Sequence, residues 1–283
     1  MKKHATIIRE PVAIGRFYPQ NKDQVEKAVN DYFAQVPSSE KKSTPWAVLL
    51  PHAGYVYCGS VLAKTLKGLS LPETLLILCP NHTGRGKTFS VWPEGEWKTP
   101  IGNFLVDDTL VNTLVDETLF QRDYLAHLGE HSIEVLLPFL ACTQEFGLPK
   151  LIPVCVGIQD TNMLMQAGAA IADFLSKTNA EGKKIGLVIS SDMNHYESHD
   201  ICMEKDQTAL NAIAANDPVA LLRVCTQNHI TMCGVGPCAL AMFAAQFLGK
   251  TLKSTLIAHT TSAEASGNYR QTVGYAGLHF FLE

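Results

Sequence analysis

Three short apolar runs, Trp46 to Leu50, Leu75 to Cys79 and Leu187 to Ile189, stop abruptly and deliver a histidine within a few residues: His52, His82 and His195. Runs of this length, bounded by polar residues, fit strands buried on both faces. The crevice outside the C-terminal ends of such strands is where open α/β sheets keep their ligands. One pattern thus constrains both the fold and the place to look for chemistry. The third run is the richest, because Ser190, Ser191, Asp192, Asn194 and His195 follow it almost without interruption.

Helical spacing returns between the runs. Asn21, with Gln24 three residues on, reads as a capping box; Val25, Val29, Tyr32, Phe33 and Val36 then recur at helical spacing up to Pro37. Further helices are predicted at about 60–69, from Asp107 or Asp108 to Val115, at about 132–146 with a bend at Pro138, and at 161–177 capped by Thr161. Others follow at 205–215, at 218–226 capped by Asp217 with Pro218 at its first position, and from Pro237 to about Phe247. Strands are predicted at 88–92, 104–106, 151–157, 252–259 and 272–282. Alternating strands and helices specify an α/β fold, a mixed and largely parallel sheet with helices on both faces.

The 283 residues would allow two domains. The histidine-bearing strands lie far apart in the chain, however, so a site built from them would knit residues 1–283 into a single domain. A net charge of −4 and the lack of a basic run argue against a nucleic-acid partner. No apolar stretch approaches the ~18 residues needed to cross a bilayer, and the opening segment has too short an apolar core for a signal peptide. The eight cysteines form neither a disulfide framework nor a paired CxxC site, consistent with a cytoplasmic protein with reduced thiols.

Imidazole is the commonest neutral metal ligand and the natural acid–base group near pH 7. Taken singly, His52 in Pro-His-Ala-Gly-Tyr and His82 in Pro-Asn-His-Thr-Gly suit a loop histidine satisfied by backbone as well as they suit a ligand. Together with Asp192 and His195 they could serve one ion or one proton-transfer site. Two histidines and a carboxylate suit non-haem Fe(II), and a thiolate shifts the preference towards copper or zinc. Cys233 is the candidate thiolate, since helix N-termini lower cysteine pKa. Glu130, His131 and Glu134 open a helix; acids there also serve the helix dipole, so they and Tyr57 are supporting candidates. Arg85 and Lys87 make a basic loop that would suit an anionic ligand held without turnover. Metal-dependent hydrolysis with an activated water is a third reading.

At these residues the sequence resembles the Memo-like family, whose prokaryotic members are called AmmeMemoRadiSam system protein B. The matching segments are Gly15-Arg-Phe-Tyr-Pro19, Pro51 to Gly59, Pro80-Asn-His82, Glu130-His-Ser-Ile-Glu134, Ser190 to His195, Cys233-Gly and Val273-Gly-Tyr-Ala-Gly277. The resemblance implies a fold like the catalytic subunit of class III extradiol non-haem iron dioxygenases. It implies metal ligation by His52, His82 and Cys233, with Asp192 and His195 beside them. The extradiol enzymes supply a glutamate where this family places the cysteine. Family members are described as copper-dependent redox proteins, as adaptors for phosphotyrosine peptides and, in prokaryotes, as companions of a radical SAM protein. The implied ligand is a small molecule or peptide; the implied cofactor is copper or iron, with zinc possible.

Overall fold

The three histidine-delivering runs are strands, and they lie side by side. The computed structural model describes residues 7–37, 43–115, 119–144 and 147–283. In it, Ala47–Leu50 pairs in parallel with Ile185–Ser190, that strand with Thr74–Pro80, and Thr74–Pro80 with Lys150–Val156. Almost every residue of these four strands is buried. Coverage on both faces is why they read as continuous apolar runs instead of alternating ones. Antiparallel strands flank them and make the sheet mixed: Thr272–Leu282 beside Ala47–Leu50, and Phe89–Val91 beside Lys150–Val156. Leu252–Thr261 and the short His195–Glu197 pair with Thr272–Leu282, and Gln121–Arg122 pairs with Phe89–Val91. A separate small sheet joins Ile8–Arg9, Glu96–Thr99 and Gly102–Leu105.

Two groups of helices cover the sheet. Thr161–Ala180, Pro218–Gln227 and Val235–Phe247 pack together and against the central strands. Lys22–Ala34, Tyr55–Leu66 and Leu137–Ala141 form the other group, over Ala47–Leu50 and Thr272–Leu282. Because the four central strands run parallel, their C-terminal ends all open onto one rim.

Several element boundaries differ from the sequence reading, for local reasons. The helix after His52 begins at Tyr55, not Ser60, and its cap is Gly54, which offers no side-chain signal. Asp160, accepting the amide of Met163 at 2.9 Å, caps the long helix one residue before Thr161. The helix expected from 132 to 146 is a 3₁₀ turn, Glu134–Leu136, followed by Leu137–Ala141 with Pro138 in its first turn instead of a bend in its middle. Phe146, its expected end, lies outside the described residues. The helix expected at 205–215 starts earlier, at His199, whose Nδ1 hydrogen-bonds Thr261 Oγ1 at 2.9 Å. Among the described residues no helix is long and apolar enough to cross a membrane.

Candidate metal centre

His52 leaves the strand Ala47–Leu50 at the rim and is almost fully buried. Its Nδ1 lies 2.7 Å from Ser190 Oγ, whose own proton is committed to the Ser132 carbonyl at 2.7 Å. Ser190 therefore accepts from Nδ1–H, and the lone pair of His52 sits on Nε2. That lone pair faces Cys233 Sγ at 3.3 Å. Burial first, then the neighbouring His131 and His82, hold the His52 pKa well below its ordinary value, so the ring stays neutral.

His82 is positioned by its own loop. Asn81 Oδ1 accepts the amides of Thr83 and Gly84 at 3.1 and 3.0 Å, and its amide donates to the Arg85 carbonyl at 2.7 Å. Glu130 then fixes the ring. One carboxylate oxygen accepts the His82 amide at 2.7 Å and the other accepts Nδ1–H at 2.9 Å. A histidine whose Nδ1–H is held by a carboxylate presents Nε2 to a metal and is a more basic ligand for it. Burial works to lower the His82 pKa, but the bond to Glu130 and its charge outweigh that and raise it. Burial alone would raise Glu130; the hydrogen bond and charge of His82, with His131 adding to them, bring it down to about 2.

Glu130 also accepts the amides of His131 and Ser132, each at 3.0 Å. This turns the backbone so that the His131 ring enters the cluster, stacked on His82 with centroids 5.1 Å apart and edge-on to His52 at 5.5 Å. One nitrogen from each of His52, His82 and His131 lies within 4.8 Å of the others, a group that could hold a metal ion. From its place in the sequence His131 is only a supporting candidate, whereas the structure puts its ring in the cluster itself. Glu134, its companion in the sequence, points elsewhere: it pairs with the buried Arg9 and accepts from Val12, Ala13 and Tyr18.

Asp192 and Cys233 border the cluster. Asp192 Oδ1 accepts the His52 amide at 2.8 Å, and its own amide donates to Cys233 Sγ at 3.2 Å. Burial raises the Asp192 pKa, with the charge of His195 and the His52 amide working against it. The helix after Cys233 starts at Val235, with Gly234 as its cap. Its N-terminus does not prevail over the surroundings, because burial and the adjacent Asp192 push the thiol well above its ordinary range. His195 donates from Nδ1 to the Thr231 carbonyl at 3.0 Å, which leaves Nε2 free. Tyr57 is 40% exposed and has no hydrogen bond to the cluster among the described residues. A cavity of about 630 Å³ lies elsewhere, where the strands begin, among Trp46, Pro72, Lys184 and Ile185.

The approach of Cys233 to His52 depends on Gly234. A Cβ there would sit 2.4 Å from Ser191 Cβ and 2.5 Å from the Ser190 carbonyl. Gly234→Ala is expected to displace the helix entry and destabilise the fold by about 1–3 kcal/mol. Urea denaturation checks this, and a loss below the error of the measurement would mean that the loop yields freely.

A family model described as Memo-like protein matches residues 9–279. MEMO1 family proteins of Sulfurisphaera tokodaii and Sulfolobus acidocaldarius are 35% and 37% identical, each covering 97% of this chain and 99% of the relative. The MEMO1 family protein of Aquifex aeolicus is 34% identical over 96% of this chain and 99% of its own. Among solved structures, an uncharacterized protein from Escherichia coli K12 superposes with a TM-score of 0.53 at 11% identity. The match covers 83% of this chain and 98% of that one. This last likeness is one of fold.

Proposed function

Because the chain belongs to the Memo-like family, we propose that its strand-end crevice is a redox metal site acting on a small ligand, in the manner of a dioxygenase. The observation that carries this reading is the three-imidazole cluster in which two rings have their tautomers fixed from behind. Ser190 holds Nδ1–H of His52 and Glu130 holds that of His82, which turns both Nε2 lone pairs outward. Neutral nitrogen donors of this kind fit copper, iron or zinc and do not fit calcium or magnesium.

His52, His82 and His131 would hold the ion, with the Cys233 sulfur in reach of whatever His52 Nε2 binds. The metal would supply the electron transfer that side chains alone do not provide. The protein's part is to position and to move protons. Burial keeps His52 and His131 neutral and ready to bind. His195 offers Nε2 as an acid–base group, oriented by Thr231 and acting beside the Asp192 carboxylate. Asp192 holds the turn after Leu50 through the His52 amide, which keeps that ring in place.

Metal analysis of untagged protein tests the reading, with oxygen consumption measured alongside. The wild type is expected to carry copper or iron at near-stoichiometric level. His52→Ala, His82→Ala and His131→Ala should each lose most of it. Negligible metal in all four preparations would refute the proposal, and zinc bound without any oxygen uptake would favour hydrolysis instead.

A further inference from the structure

The irregular segment from Pro11 to Pro19 is held in place more firmly than a surface lead-in requires. Glu134, buried and paired with Arg9, accepts the amides of Val12 and Ala13 at 2.8 and 2.9 Å and the Tyr18 hydroxyl at 2.7 Å. The Phe17 carbonyl accepts the amide of Tyr55 at 2.8 Å, which ties the segment to the helix that follows His52. The anchoring brings Phe17 to the imidazole cluster, with Arg16 beside it. The Phe17 ring rests on the His131 imidazole with centroids 4.4 Å apart. Arg16 is exposed, with its guanidinium carbon 5.9 Å from the Phe17 ring. Among the described residues no carboxylate pairs with that guanidinium.

The charge around the cluster makes this cation informative. The negative groups there, Glu130 and Asp192, are buried and already engaged by His82 and His52. Neither is left over to neutralise Arg16, and a guanidinium takes a carboxylate through two parallel hydrogen bonds. Its distance from the His131 ring is no greater than the sum of the two spacings above, so a molecule touching both is short.

We propose that Arg16 and Phe17 form the outer half of the ligand site. Arg16 would bind the carboxylate of a small organic acid, and the other end of that acid would reach the three imidazoles. The proposal rests on the metal-binding reading above and extends it to the class of ligand.

Succinic acid monohydroxamate tests it, compared with the analogue in which the carboxylate is a neutral amide. Both carry the same metal-gripping hydroxamate, and calorimetry on the zinc-loaded full chain at low salt compares them. The acid is expected to bind about 10- to 100-fold more tightly than the amide, as a charge-assisted pair allows. Arg16→Gln should reduce that preference to about twofold or less, with metal content and amide affinity unchanged. Arg85→Gln, on the basic loop, should retain it. Equal affinities for acid and amide overturn the proposal, as does a preference that survives Arg16→Gln or disappears in Arg85→Gln. Metal-loaded protein that binds neither probe overturns this proposal alone, whereas a chain that binds no metal overturns the reading beneath it as well.

Discussion

Glu130→Gln is expected to lower metal affinity by at least 10- to 100-fold and to destabilise the metal-free protein by about 3 kcal/mol or more. The buried carboxylate accepts from four nitrogens, the amides of His82, His131 and Ser132 and Nδ1 of His82. A glutamine keeps one acceptor oxygen and points two N–H donors at groups that are themselves donors, which strands buried hydrogens. Urea denaturation of the apo form and competition with a chelator measure the two losses. Stability within about 1 kcal/mol of wild type and unchanged affinity would rule out the role assigned to Glu130.

The same residue predicts a pH dependence. Its pKa falls from an ordinary 4.5 to about 2 on folding. A depressed acid contributes stability that is fully present above about pH 4.5 and is lost as pH falls through about 2. At ~1.36 kcal/mol per unit, the contribution is about 3 kcal/mol. Glu130→Gln should therefore flatten the acid limb of a stability–pH curve between about pH 5 and 2. An acid limb identical to wild type would contradict this. His82 is raised by the same contact, so the two shifts describe one interaction and are not added.

Glu134→Ala should cost about 3–5 kcal/mol, because it leaves the buried Arg9 guanidinium without its counter-charge. Arg9→Met is expected to cost less, since Glu134 would retain three donors from Val12, Ala13 and Tyr18. A double-mutant cycle by denaturation should show coupling of about 1–3 kcal/mol between the two positions. Additive effects would mean that the pair is only a contact of convenience.

These two glutamates show where the sequence was legible and where it was not. The buried parallel strands could be read from their length and apolar continuity, and His52, His82 and His195 could be placed at their ends for the same reason. His131 carried no such signal, because no strand delivers it. It reaches the cluster because Glu130 gathers successive backbone amides, a use of a carboxylate that looks in sequence like a helix-dipole preference. Glu134 gave the same helix-start signal, yet it faces Arg9. Two acids four residues apart can share a helical face, but here only the second lies in the 3₁₀ turn. The Cys233 thiol shows the reverse case. A helix N-terminus was visible, but the burial and the Asp192 charge that overcome it come from parts of the chain far away in sequence.

The span of the cluster along the chain also bears on how the molecule folds. Cys233 meets His52 across 181 residues, and His82 meets Glu130 across 48. Contacts of such high sequence separation carry a loop-closure cost and form late. A partly folded chain could possess its helices and hairpins and still have no place to bind an ion. An ion seated among these imidazoles would clasp three segments between residues 52 and 131, and the contact of Cys233 with His52 would tie in a fourth. It would then protect the protein against global unfolding more than against local opening, and hydrogen exchange in the slowest core amides would record that protection.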